Sequence, residues 1–280
     1  MIEQLTPYLP LLSALIAAGL LAGLVAGLFG IGGGVVIVPT LAFVFTQLGY
    51  ENTAMHMAVG CSLATIVATS LRSARSHYKR DSVDMAVVKS WVPFIMIGAA
   101  LGGLIAGVMP GDGLKGVFAS VLLLISLQFI FGRPNWKLAD SLPTGLPRIG
   151  IASGVGALSG VMGIGGGVFG VTLMTLCGHA VHRAVGTAAA FGAAIGFPAA
   201  IVYAITGLGV ADRAPVSIGY LNVPAIVIIA LLTTSIAPLG AMIAHKLNAV
   251  TLRRVFGVIT IVLALNMLRG VFGVSLPILG

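Results

Sequence analysis

Long apolar runs fill most of this chain, and short polar stretches interrupt them. The runs cover residues 9–29, 34–48, 54–71, 91–109, 114–132, 149–162, 167–178, 183–206, 221–244 and 250–268. Within them, apolar residues do not alternate with polar ones, so the strand pattern of a membrane β-barrel is absent. Several runs reach the ~20 residues that an α-helix needs to cross a bilayer core. The pattern predicts an all-α polytopic membrane bundle of about 8–10 segments. Polar connections fall at 72–90, 133–148 and 207–220.

The two halves of the chain repeat. GLFGIGGGVVIVPTL at 27–41 returns as GVMGIGGGVFGVTLM at 160–174. After each copy, Ala54, His56, Ala58 and Gly60 match Ala180, His182, Ala184 and Gly186. Internal repeats of this kind are common in transporters, where two similar halves rock around one site. We therefore read a single transmembrane transporter domain over 1–280, with repeat one at 9–132, a cytoplasmic linker at 133–148 and repeat two at 149–270.

Composition supports the membrane assignment. The chain is 58% hydrophobic and 8% charged, against about 25% charged in soluble domains. Its net charge of +8 does not require nucleic acid, because the basic residues sit in short loops. With the N-terminus outside and each run reversing side, only Lys115, Arg213 and Arg269 of the 15 Lys and Arg residues fall outside. That is the positive-inside bias, and it makes the halves inverted. Residues 149–178 are short for two crossings. They form either a re-entrant hairpin or two short spans, and both return the chain to the same side. The N-terminal stretch has no basic region of a signal peptide and is expected to remain as a helix. Cys61 and Cys177 show no metal-site spacing.

The glycine runs carry the candidate chemistry. Irregular backbone at membrane depth is tolerated where it is buried in protein or lines a cavity. Breaks at Gly30–Gly34 and Gly163–Gly167 would start new helices at Val35 and Val168. A helix start offers unpaired N–H groups and the positive end of a dipole, so it can hold an anion without a charged side chain. Burying an anion is costly; each charge-assisted hydrogen bond returns about 1.5–3 kcal/mol. Gly30, Gly32, Gly33, Gly34, Gly163, Gly165, Gly166 and Gly167 are thus the expected anion-binding residues. Cys61, Ser62, Thr172 and Thr187 are candidate donors beside them, as are Thr65 and Thr69 with less reason; hydroxyls can equally bond their own helix. Pro39 is expected to kink its segment. All seven acids lie in loops or near segment ends, which argues against a carboxylate-coupled cation carrier.

His56 and His182 could carry a coupled proton or simply make loop contacts. Arg72, Arg75 and Arg183 are either snorkelling anchors or part of an anion-attracting vestibule. Gly98 with Gly102, and Gly103 with Gly107, read as helix-packing pairs that would also permit a homodimer. Gly156-Ala157-Leu158-Ser159-Gly160 resembles an intramembrane serine protease motif, but Ser159 aligns with Ala26 of the first half. No catalytic residue, metal site or cofactor is expected, and the chain is not read as an enzyme.

With both glycine runs, and the AVGCSLATI and AVGTAAAFG segments that follow them, the chain resembles the sulfite exporter TauE/SafE family, also called the 4-toluene sulfonate uptake permease group. The resemblance spans nearly the whole chain. It implies transport of sulfur-containing anions such as sulfite, sulfonates or sulfoacetate across a bacterial inner membrane. It also implies fewer membrane segments per half than counted above, a difference that the hairpin would absorb. The partners expected are therefore a small anion and the lipid bilayer. A passive anion channel is the alternative.

Overall fold

A computed structural model of the chain describes residues 9–29, 33–131, 137–244 and 249–272. These form ten helices and one short β-hairpin: α1 (Leu9–Phe29), α2 (Gly34–Gln47), α3 (Ala54–Tyr78), α4 (Met85–Val108), α5 (Gly111–Phe131), α6 (Gly145–Met162), α7 (Gly166–Leu176), α8 (Val181–Thr206), β1 (Ser217–Ile218), β2 (Leu221–Asn222), α9 (Val223–Ala244) and α10 (Ala249–Phe272). Among the described residues, six helices are long and apolar enough to cross a membrane: α3, α4, α5, α8, and most of α9 and α10. The protein is a polytopic helical membrane protein. Its outer surfaces carry exposed Leu, Ile, Val and Phe side chains, such as Leu104, Ile105, Leu231 and Val262, as lipid contact requires.

The first helix of each half packs on the other half. α1 lies along α9 and α6 lies along α4, and these are the two most extensive helix contacts. Glycine makes both approaches close. A Cβ on Gly102 would run into the backbone of Ala157, and one on Gly156 into that of Ile95. The centre is α3 packed against α8. Gly60 faces Tyr203, Gly196 faces Leu63, and Gly186 faces Ser82, so these two helices are antiparallel. Gly98 meets Ser153 and Gly102 meets Ala157, so α4 and α6 run in parallel. Gly19 meets Leu232 and Gly23 meets Ile236, so α1 and α9 also run in parallel.

The break in the second half makes a hairpin. α7 has 11 residues, about 17 Å at 1.5 Å per residue, too short to cross a bilayer. Its end comes back to the start of the hairpin: the N–H groups of Leu138 and Ala139 donate to the Leu176 carbonyl at 2.8 and 3.2 Å. The chain thus enters through α6, turns at Gly163–Gly165 and returns through α7.

Four expectations are corrected. The new helices start at Gly34 and Gly166, ahead of Val35 and Val168, because the first turn of a helix tolerates glycine where its N–H is unpaired anyway. The polar stretch 72–90 is mostly helical: α3 runs on to Tyr78 and α4 begins at Met85. A backbone hydrogen-bond ladder can continue past the apolar region, and the turn ends where Asp84 caps α4 by accepting from the N–H groups of Ala86 and Val87, both at 3.1 Å. α6 begins at Gly145, earlier than 149. The connection 207–220 runs into the small hairpin, where Ser217 pairs with Asn222.

Candidate functional site

The two glycine breaks meet. α2 begins after Gly33, whose φ of 75° is left-handed. α6 ends on Gly163, whose φ of 67° is also left-handed. A side chain at either position would be strained. The Gly163 and Ile164 N–H groups both turn back to the Ser159 carbonyl, the hydrogen-bond pattern of a helix stop. A Cβ on Gly34 would sit 2.6 Å from the Gly163 carbonyl oxygen and 3.0 Å from the Ile164 Cα. Only glycine at 34 allows this contact. Gly30 and Gly32 lie outside the described residues.

A cavity of about 530 Å³ opens beside this junction. Gly33, Gly165, Gly166 and Gly167 line its floor, where α2 and α7 begin. The N–H groups of a helix's first turn have no partner within the helix, so two helix starts border one space. α3 forms a polar wall with Thr69, Ser70, Arg72, Ser73, Ser76 and His77, and Arg80 extends it from the turn after the helix. α7, α8 and α9 supply a mostly apolar wall, including Val171, Val185, Ala188, Ala189, Ala237 and Pro238, with Thr233 and Thr234 among them. Among the described residues, no Asp or Glu lines the cavity. Arg72 and Arg80 are exposed, which places the cavity's mouth at the basic end of the molecule.

Other sequence candidates lie elsewhere. Ser62 does not line the cavity; its hydroxyl donates to the Gly163 carbonyl at 2.7 Å and so clamps the break. Cys61 is fully buried and accepts from the Asn222 N–H at 3.1 Å. The Thr187 hydroxyl accepts from the Asp84 N–H at 2.9 Å, tying α8 to the α3–α4 turn. Thr172 is half-buried on α7, outside the cavity lining. Arg183 points to Asp84 at 3.9 Å, and Arg75 is exposed away from the cavity. Of the three arginines singled out, only Arg72 reaches it. Ser159 is buried and its hydroxyl has no hydrogen-bond partner, so it forms no Ser–His pair. Pro39 lies inside α2.

The two histidines sit at opposite ends. His182 is exposed at the start of α8, near the basic end. His56 is buried at the other end. Its Nε2 lies 3.2 and 3.1 Å from the carbonyls of Ala106 and Met109, and its ring stacks on Tyr220 at 4.8 Å. Tyr203, Asn222 and Cys61, all fully buried, complete this layer. Burial raises the Tyr220 phenol above its ordinary pKa, against the opposing charge of Arg213, so the layer's phenol stays neutral. Among the described residues, this layer is packed side chain to side chain at the end opposite the cavity mouth.

The sequence reading missed Ser70, Ser73, Ser76, His77, Arg80, Thr233 and Thr234. A signal existed: Thr69, Arg72, Ser73 and Ser76 follow the three- and four-residue spacing of one helix face. It is visible only once α3 is extended to Tyr78.

A probable membrane transporter protein of Haemophilus influenzae is 32% identical over 241 residues, covering 86% of this chain and 91% of that protein. Another, from Methanocaldococcus jannaschii, is 27% identical over 262 residues, covering 93% and 97%. The probable membrane transporter protein YunE of Bacillus subtilis is 31% identical over 185 residues, covering 58% and 66%. No solved structure matches the chain. Residues 15–267 match the profile of one family across both glycine breaks and the bundle that holds them: the chain belongs to the sulfite exporter TauE/SafE family.

Proposed function

We propose that this protein is a secondary transporter of a small sulfur-containing oxyanion, sulfite or an organosulfonate, in the bacterial inner membrane. The anion binds at the floor of the cavity, held by N–H groups at the starts of α2 and α7. The observation that carries this reading is one cavity bordered by both glycine breaks, with hydroxyls and arginines but no carboxylate among the described residues that line it. A cation site would need the opposite chemistry.

The basic end is the cytoplasmic end, so the cavity faces inward. α1 runs parallel to α9 and α6 runs parallel to α4, which suits two halves that exchange their first helices. Transport then requires the packed layer of His56, Tyr203 and Tyr220 to open as the inner mouth closes. The closed outer layer favours this carrier over a passive channel, which needs a continuous path.

Proteoliposomes containing the purified protein test the proposal with labelled sulfite and labelled organosulfonates. A carrier gives saturable uptake that is accelerated by unlabelled anion on the far side. Flux that rises linearly with concentration and shows no trans-stimulation would support the channel. No flux of any sulfur oxyanion would reject the substrate class.

A further inference from the structure

We propose that Arg72 and Arg80 form a second anion-binding position at the cavity mouth, which captures oxyanions from the cytoplasm before they reach the glycine breaks. This rests on the carrier reading above and adds a site to it.

The argument begins with register. α3 carries five basic residues over its last turns and the turn that follows: Arg72, Arg75, His77, Lys79 and Arg80. Snorkelling or positive-inside bias would act on all of them alike. The fold separates them. Arg72, His77 and Arg80 line the cavity, whereas Arg75 and Lys79 do not. Arg72 and Ser76 lie about one turn apart on one face of α3, and Arg80, in the turn just after the helix ends at Tyr78, continues the same lining.

Depth comes from the neighbouring helices. Gly192 of α8 approaches Ser70 on one side and the Gly166 amide on the other, so Ser70 lies at the level of the α7 break. Arg72 is half a turn further toward the mouth, and Arg80 lies past the end of α3, in the turn that follows Tyr78. The two arginines therefore lead away from the glycine floor toward solvent. Neither is ion-paired: among the described residues the ion pairs are Lys137 with Asp140 and Arg183 with Asp84. Two unpaired guanidinium groups beside serine hydroxyls in a carboxylate-free cavity offer the bidentate and single donors that an oxyanion accepts. A charged, low-dielectric mouth also raises the local anion concentration and the rate of entry.

The test compares two double variants that each remove two positive charges from the same helix end: Arg72→Gln with Arg80→Gln, and Arg75→Gln with Lys79→Gln. Uptake of labelled sulfite is measured in inside-out vesicles at several ionic strengths. The cavity pair is expected to raise KM at the cytoplasmic face about tenfold, with kcat within twofold, and to flatten the salt dependence. The outward-facing pair should match the wild type in both. A second readout is free of transport: stabilisation of the detergent-solubilised protein by sulfite, followed as a thermal unfolding shift. It should weaken only in the cavity pair. Equal effects from both pairs, or no effect from the cavity pair in either readout, would overturn the mouth site. Wild-type protein that neither moves nor is stabilised by sulfite would instead overturn the carrier reading, and the mouth site with it.

Discussion

Ser62 connects the two breaks through one hydroxyl. It sits on α3 of the first half and donates to the carbonyl that ends α6 of the second half. Both groups are buried, so removing the donor leaves that carbonyl without its partner. Ser62→Ala is expected to lower stability by about 1–3 kcal/mol, measured as reversible unfolding in detergent micelles, while leaving the KM for oxyanion unchanged. A large KM change at unaltered stability would instead make Ser62 a substrate ligand. At this scale the sequence identified the right neighbourhood but not the role. Cys61 and Ser62 follow the matched Gly60, and Thr187 follows its counterpart Gly186, yet Ser62, Cys61 and Thr187 are each turned to a backbone group of another element: Gly163, Asn222 and Asp84 respectively. Which way a buried hydroxyl points depends on the helix packed beside it, and residue spacing alone does not carry that.

The glycines of α4 act at the scale of elements. Gly98 and Gly102 lie against the backbone of α6, and Gly103 and Gly107 lie against Val202 and Thr206 of α8. Both small-residue faces are thus used inside the chain, and a homodimer would need a different surface. Gly98→Leu should destabilise the protein by about 1–3 kcal/mol or prevent folding, because the obstruction is the Ser153 backbone and not a movable side chain. Gly154→Leu, on the open face of α6, should shift stability by less than about 0.5 kcal/mol. Thermal unfolding of the two side by side checks this. The packing glycines of α4 and the breaks were legible because glycine in an apolar run has few other uses. The cavity wall was not, because the polar residues after position 71 read as a connection. Helical hydrogen bonding carried α3 onward to Tyr78 and turned that polar stretch into a cavity lining.

Among the described residues, five helices lie on either side of the 133–148 connection, with α1 packed on α9 and α6 on α4, and a cavity opens toward the basic end. Solvent access should follow this arrangement. Ser76→Cys should react with a membrane-impermeant thiol reagent added from the cytoplasmic side, and saturating oxyanion should slow the reaction. Native Cys61, buried in the closed layer, should stay unlabelled under the same conditions. Reaction of Ser76→Cys from the outer side alone would reverse the orientation. The central claim is that helix starts at the glycine breaks hold the anion, and Gly167 tests it most directly. It lines the cavity floor in the first turn of α7, so Gly167→Leu puts a side chain where the anion would sit. Gly154→Leu supplies the same change away from the cavity. Initial rates of labelled sulfite uptake into proteoliposomes, for folded protein of both variants, should fall at least about tenfold for Gly167→Leu, about 1.4 kcal/mol of lost binding or transition-state stabilisation. The Gly154→Leu rate should stay near that of the wild type. Wild-type uptake by correctly folded Gly167→Leu would contradict the account.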